Sequence, residues 1–263
     1  MVGLFMALVL AVPAATPREE FEALKADYEA KSTAWARQYN GEPDKPIPRD
    51  KVDNVGRYRD WPGWAYAAKA REFADTHPGD PAAADALFAM MELVSAVGDR
   101  DRELSPHMAR AYALLAASHF DDPRIDDACR RVSFSGGTPD AELFLRAIAE
   151  QASDRGIRGR ANLALSRFLA TRRVIAARPW FEKKDGPNYL TAMIERLDPG
   201  YVRFVRATDP AALVAEIEAQ FARTTQEYGD VLADSRAGVN QKTIAQVVEA
   251  EQIKLKAPVP AKP

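Results

Sequence analysis

Apolar residues in this chain recur at the period of a helix. Between residues 16 and 39, Phe21, Leu24, Tyr28 and Trp35 follow one another at three-, four- and seven-residue steps and share one face. The same spacing returns in the stretch 82–97 (Leu87, Met90, Met91, Val94) and in the stretch 105–118 (Met108, Tyr112, Leu115). It returns again after Thr138 (Leu143, Phe144, Ala147, Ile148), over 157–171 (Ala161, Leu165, Phe168), and through Leu213, Ile217, Phe221 and Tyr228. Shorter helices are predicted over 64–76, 124–132 and 243–255. No segment alternates apolar and polar residues as a half-buried strand does, so the chain is expected to be all-α with no significant β-sheet.

Proline marks where these helices begin. Thr16-Pro17, Asp80-Pro81, Ser105-Pro106, Asp122-Pro123, Thr138-Pro139, Asp198-Pro199 and Asp209-Pro210 all pair a helix-capping residue with proline. Proline lacks the N–H that would be an orphan at the first helical position, and it pushes the residue before it out of the α region, where a cap sits. Thr16 and Glu19 also have the spacing of a capping box. Two of the marks lie in similar turns: THPGDP at 76–81 and SHFDDP at 118–123, 42 positions apart and each between two helices. With a third helix–turn–helix over 138–172, units of about 35–42 residues predict an α-solenoid of TPR-like hairpins. We therefore expect a single helical-repeat domain over 16–255. An irregular Pro-rich connection, with one short helical turn around Val52, interrupts it at 40–63, and an extended tail follows at 256–263.

Composition narrows the setting. The 263 residues are 47% hydrophobic and 28% charged, with a formal net charge of −2 and basic residues dispersed among acidic ones. Nothing there points to nucleic acid or an anionic membrane surface as partner. Residues 2–12 are an apolar run, too short to span a bilayer, followed by the small-residue stretch Pro13-Ala14-Ala15. We read residues 1–15 as a signal peptide, although no Lys or Arg follows Met1. Export to the periplasm or beyond follows, with no stable membrane anchor after cleavage.

Candidate chemistry is sparse. The single cysteine, Cys129, excludes an internal disulfide, a CxxC pair and a cysteine-based zinc site, and its helical setting suggests a buried small residue. His77 and His119 occupy the equivalent turns, where an imidazole can cap a helix C-terminus; His107 stands apart. No HxxxH, GxxxxGK[ST], GxGxxG or GxSxG occurs, so neither cofactor nor metal is expected. The carboxylates of Asp121, Asp122, Asp126 and Asp127 fit helix-dipole compensation and a solvated surface. Tyr58, Trp61, Trp64 and Tyr66 flank one loop; Trp180, Phe181 and Tyr189 flank another. Of these, Tyr58, Trp61, Trp64, Trp180 and Phe181 are the candidate contacts for a protein partner, while sealing of gaps between hairpins is the competing reading.

Three stretches carry a family resemblance: Ala70–Leu87 (AREFADTHPGDPAAADAL), Leu143–Leu165 (LFLRAIAEQASDRGIRGRANLAL) and Asp209–Val231 (DPAALVAEIEAQFARTTQEYGDV). They resemble the helical region that precedes the redox domain in bacterial secreted TlpA-like proteins of the thioredoxin family. The resemblance runs from about Phe21 to Leu255. In that family a thioredoxin fold with a Trp-Cys-x-x-Cys site follows, and neither redox cysteine is present here, so no catalytic residue carries over. The resemblance implies an exported, non-enzymatic helical module that binds a protein. A truncated or split thiol–disulfide oxidoreductase, its redox domain on another chain, is the alternative.

Overall fold

The computed structural model of the chain describes residues 14–97, 105–133, 138–177, 199–236 and 241–256. Eleven helices lie among them: α1 (Pro17–Asn40), α2 (Asn54–Arg59), α3 (Gly63–Thr76), α4 (Pro81–Val97), α5 (Ser105–Ser118), α6 (Ile125–Val132), α7 (Pro139–Gln151), α8 (Arg155–Ala176), α9 (Pro199–Arg206), α10 (Pro210–Tyr228) and α11 (Ile244–Lys256). The architecture is all-α apart from one small sheet.

The helix starts follow the capping chemistry. At α1, Thr16 Oγ1 accepts from the Glu19 amide at 3.3 Å and Glu19 Oε2 accepts from the Thr16 amide at 2.8 Å, a complete capping box. Asp80, Thr138 and Asp209 each accept from an amide in the first turn of α4, α7 and α10. Asp122 accepts from the Arg124 amide at 2.9 Å, so its proline opens a turn and α6 itself starts at Ile125. Other caps lack proline: Asp154 accepts from Ile157 N ahead of α8, and Thr243 with Gln246 forms a second reciprocal box ahead of α11.

The two similar turns correspond bond for bond. His77 N donates to Phe73 O, and His119 N to Leu115 O. Asp80 N donates to His77 O and Asp122 N to His119 O, at 2.9 and 3.0 Å. Ala83 N donates to Asp80 O, and Ile125 N to Asp122 O. Every pair is offset by 42 positions.

Residues 40–63 are more ordered than the pattern suggested. Gly41–Glu42 (β1) and Lys45–Pro46 (β2) form a two-stranded antiparallel hairpin. Gly41 has φ +81°, and a Cβ there would stand 2.5 Å from Lys45 O, so the tight return needs glycine. The expected single turn lies at Arg49–Lys51, and α2 follows, capped by Asp53 through Val55 N and Gly56 N. A helix of six residues is too short to display a period, which is why the pattern missed it.

α8 is the centre of the packing and touches α6, α7, α9, α10 and α11. On the other side of the molecule α1 packs on α3 and α4, and α3, α5 and α7 pack in succession. Phe144, Phe168, Phe221, Leu87, Met90, Leu115 and Ile148 are fully buried at these contacts. Leu143, expected to face inward, is 64% exposed; Ala141, Leu145 and Ala149 join Phe144 and Ile148 on the buried face instead. Gly159 lets α8 approach α10 and α11 closely: a Cβ there would lie 2.9 Å from Tyr228 Cβ and 3.2 Å from Ile244 Cδ1. One buried polar link joins the same helices, with Gln220 Nε2 donating to Asn162 Oδ1 at 2.7 Å.

Candidate functional site

The aromatic candidates divide. Tyr58 lies on α2 and Trp64 on α3, with Trp61 between them. The Trp64 ring meets Trp61 edge-on at 5.0 Å and Tyr58 at 4.9 Å, and Trp64 Nε1 donates to Tyr58 O at 2.8 Å. Trp61 and Trp64 pack against the core, whereas Tyr58 is 49% exposed. Trp35 Nε1 likewise donates to Arg57 O at 2.9 Å, and the Tyr39 hydroxyl donates to Asp60. Indole and phenol tips thus fasten the 40–63 segment to α1 and α3, as buried amphipathic aromatics commonly do. Trp180 and Phe181 lie outside the described residues.

The four clustered aspartates are structural ties and not simply a solvated face. Asp121 Oδ1 accepts from Ser153 N, joining two inter-helix turns. Asp122 holds Arg124, and Asp127 holds Arg130 and Arg131. Asp126 receives Arg160 from α8 at 2.6 Å and the Ser235 hydroxyl. The cavity around Asp126, Arg160 and Asp234 is only about 40 Å³. The Arg236 guanidinium holds the Asp234 carboxyl down to about 2. This cluster is a bolt holding residues 233–236 against α6 and α8.

The histidines and the cysteine have local roles. His77 Nδ1 lies 3.0 Å from Phe73 O and caps α3, as expected. His119 stands in the equivalent turn, and its Nε2 is buried without a hydrogen-bond partner among the described residues. Burial lowers the His119 pKa, and it does the same for His107, which also faces Arg71. Cys129 is buried in α6, and desolvation pushes its thiol far up, away from the reactive thiolate. Among the described residues no group of three or more His, Cys, Asp or Glu could hold a metal ion, and no helix is long and apolar enough to cross a membrane.

What remains is a cleft of about 580 Å³ between α1 and α4, closed below by α3. One wall is the α1 stripe Arg18, Phe21, Glu22, Lys25, Tyr28 and Glu29; the other is the α4 stripe Asp85, Ala89, Glu92 and Leu93. Phe21 packs on Phe73 at 6.0 Å, and Tyr28 on Tyr66 at 4.4 Å, which makes the floor aromatic. Burial, and after it Tyr28, Glu29 and Glu22, push the Tyr66 phenol up to about 12. Glu22, Glu29 and Glu92 are 54%, 65% and 67% exposed at the mouth. A smaller apolar pocket of about 200 Å³ lies between α8 and α11, rimmed by Arg167, Arg173 and Lys254. Arg173 donates there to Leu255 O, at the last turn of α11, where it answers the helix C-terminal dipole, and Arg167 donates to Glu251 Oε1 at 2.7 Å.

The sequence pattern had Phe21 and Tyr28 on the α1 face, but not what they line. Ala89 and Leu93 lie off the predicted α4 stripe and become a wall only because α1 packs on α4. No known protein family, curated protein or solved structure matches the chain.

Proposed function

We infer that this chain is an exported α-solenoid of TPR-like hairpins that works without catalysis, by holding a protein partner. The observation that carries the reading is the α1/α4 cleft, with an aromatic floor, charged walls and a volume within the range of ligand-binding clefts. The bond-for-bond correspondence of the turns at His77 and His119 supports the repeat architecture. The apolar run 2–12 and the small residues after it support export. Tyr58, Trp61 and Trp64 remain candidate contacts, Tyr58 being the most exposed of them. Trp180 and Phe181 are kept from the sequence reading alone. The thioredoxin-type resemblance makes a redox protein on a separate chain one partner to look for.

The test is site-specific photo-crosslinking in the envelope of the native cell. A benzophenone amino acid at Leu93 should trap a protein, and the same group at exposed Leu143, on α7, should not. No trapped protein from Leu93 or Tyr58 would sink the reading.

A further inference from the structure

We propose that the pocket between α8 and α11 binds a small amphipathic carboxylic acid, with an apolar body of about six to eight carbons. This site is separate from the α1/α4 cleft and does not depend on the protein-partner reading. Two ties across the pocket join its walls. Arg167 Nε donates to Glu251 Oε1 at 2.7 Å, and Arg173 Nη1 donates to Leu255 O at 3.0 Å. The two arginines stand about 9 Å apart along the α8 axis. The apolar lining is Ala170 and Val174 of α8, Leu255 of α11 and the Phe221 ring of α10, with Thr171 beside them. The volume is about 200 Å³. An apolar cavity of about 150 Å³ accepts benzene, whereas drug-sized ligands occupy clefts of about 300 Å³ and more. The space therefore suits a single ring or a short alkyl chain.

Charge selects the acid. The lining carries three cations, Arg167, Arg173 and Lys254, and one carboxylate, Glu251. Arg167 and Glu251 cancel as a pair. Among the described residues no carboxylate pairs with Arg173 or Lys254. The C-terminal ends of α8 and α11 each supply about half a negative charge. Two whole cations against two such ends leave the rim about one charge positive. Arg173 uses only Nη1 on Leu255 O, so other N–H groups of its fork remain for a ligand oxygen. Lys254 is exposed, and its flexible stem lets the ammonium follow a carboxylate at the mouth. An amine on the same apolar body would meet like charge there.

Titration calorimetry of the full chain with octanoate, octanol and octylammonium tests this. Octanoate should bind at one site, about tenfold tighter than either control. Lengthening the acid from hexanoate to octanoate should tighten binding about fourfold per methylene. Lys254→Glu should cost about tenfold for octanoate and leave octanol unchanged. Val174→Phe fills the pocket and should abolish octanoate binding, with circular dichroism showing that the helices persist. If that variant does not fold, Ala170→Leu serves in its place. No octanoate binding up to about 5 mM overturns the proposal. So does equal binding of octanol or octylammonium, or undiminished octanoate binding by Lys254→Glu or by a folded pocket-filling variant. Tighter binding of a short peptide ending in a leucine carboxylate would overturn it in favour of a protein C-terminus.

Discussion

Arg124 Nη1 donates to Asp85 Oδ1 at 2.6 Å across 39 residues of sequence, and Arg18 reaches the other oxygen of the same carboxylate at 2.5 Å. One side chain of α4 is thus shared by α1 and the start of α6. Burial pushes the Asp85 carboxyl up, but the hydrogen bonds from Arg18 and Arg124 outweigh it and hold it below the usual carboxylate range. Arg124 also lies over the Phe88 ring at 4.4 Å, so it is anchored on two sides. Asp85→Ala should destabilise the fold by about 1–2 kcal/mol, the lower figure reflecting solvent screening of a partly exposed group. Urea unfolding of Asp85→Ala, Arg124→Ala and the double variant would check it. Strictly additive losses would mean that the bridge contributes nothing as a pair.

Gly159 marks a close approach of α8 to α10 and α11. Gly159→Ala gains helix propensity, worth about 1 kcal/mol at an unhindered site. Here the new methyl would press on Tyr228 Cβ at 2.9 Å, an atom next to the backbone that cannot swing away. Overpacking costs about 1–3 kcal/mol and should win. The variant should therefore melt below the parent; an unchanged or raised Tm would show that α10 shifts freely against α8.

These two sites show what the chain discloses before its structure is known. Capping residues act on amides one turn away, so Thr16, Asp80, Thr138 and Asp209 are legible one residue at a time. Asp198-Pro199 likewise marks the start of α9, yet that helix has only eight residues and its period does not stand out. Leu143 was misplaced because a helix with apolar residues at 143, 144, 145, 147 and 148 has two plausible faces, and packing against α8 and α5 selects the one centred on Phe144 and Ile148. The Asp85–Arg124 bridge and the cleft depend on how helices distant in sequence cross. No local period encodes that.

Acid should weaken the fold in two stages. His107 and His119 have folded pKa values lowered by burial, so the native state favours the neutral ring. His119 Nε2 is buried without a hydrogen-bond partner among the described residues, and burial outweighs the Pro78 backbone, Asp122 and Asp80, which favour the charged ring. A histidine that titrates at about 6.5 when unfolded then draws protons to the unfolded state first. Stability is full above that pH and falls as pH drops towards the folded values. Asp85, Asp122, Asp127 and Asp234 also have lowered folded values, so their contribution is present above about 4 and is lost below it, Asp234 last, near 2. Melting temperatures followed from pH 8 down to pH 3 should show both stages. His107→Gln with His119→Gln should flatten the first alone, and a variant that keeps the parent slope between pH 7 and 5 would refute the assignment.

Cys129 gives a direct test of whether this chain carries thiol chemistry of its own. Its side chain is buried between α6 and the surrounding core, and desolvation raises its pKa, with Asp126 adding to the rise and Arg160 opposing it. Both effects disfavour the thiolate, which is the species that attacks a disulfide. A native thiol of this kind reacts only when the fold opens. Labelling with a chromogenic disulfide reagent should be slow in buffer, should become complete in urea, and should follow the same midpoint as the helical signal. Rapid stoichiometric labelling of the folded chain would place Cys129 in an accessible, activated setting and would revive the oxidoreductase alternative. Slow labelling that follows unfolding would show that Cys129 of the folded chain is no attacking thiol.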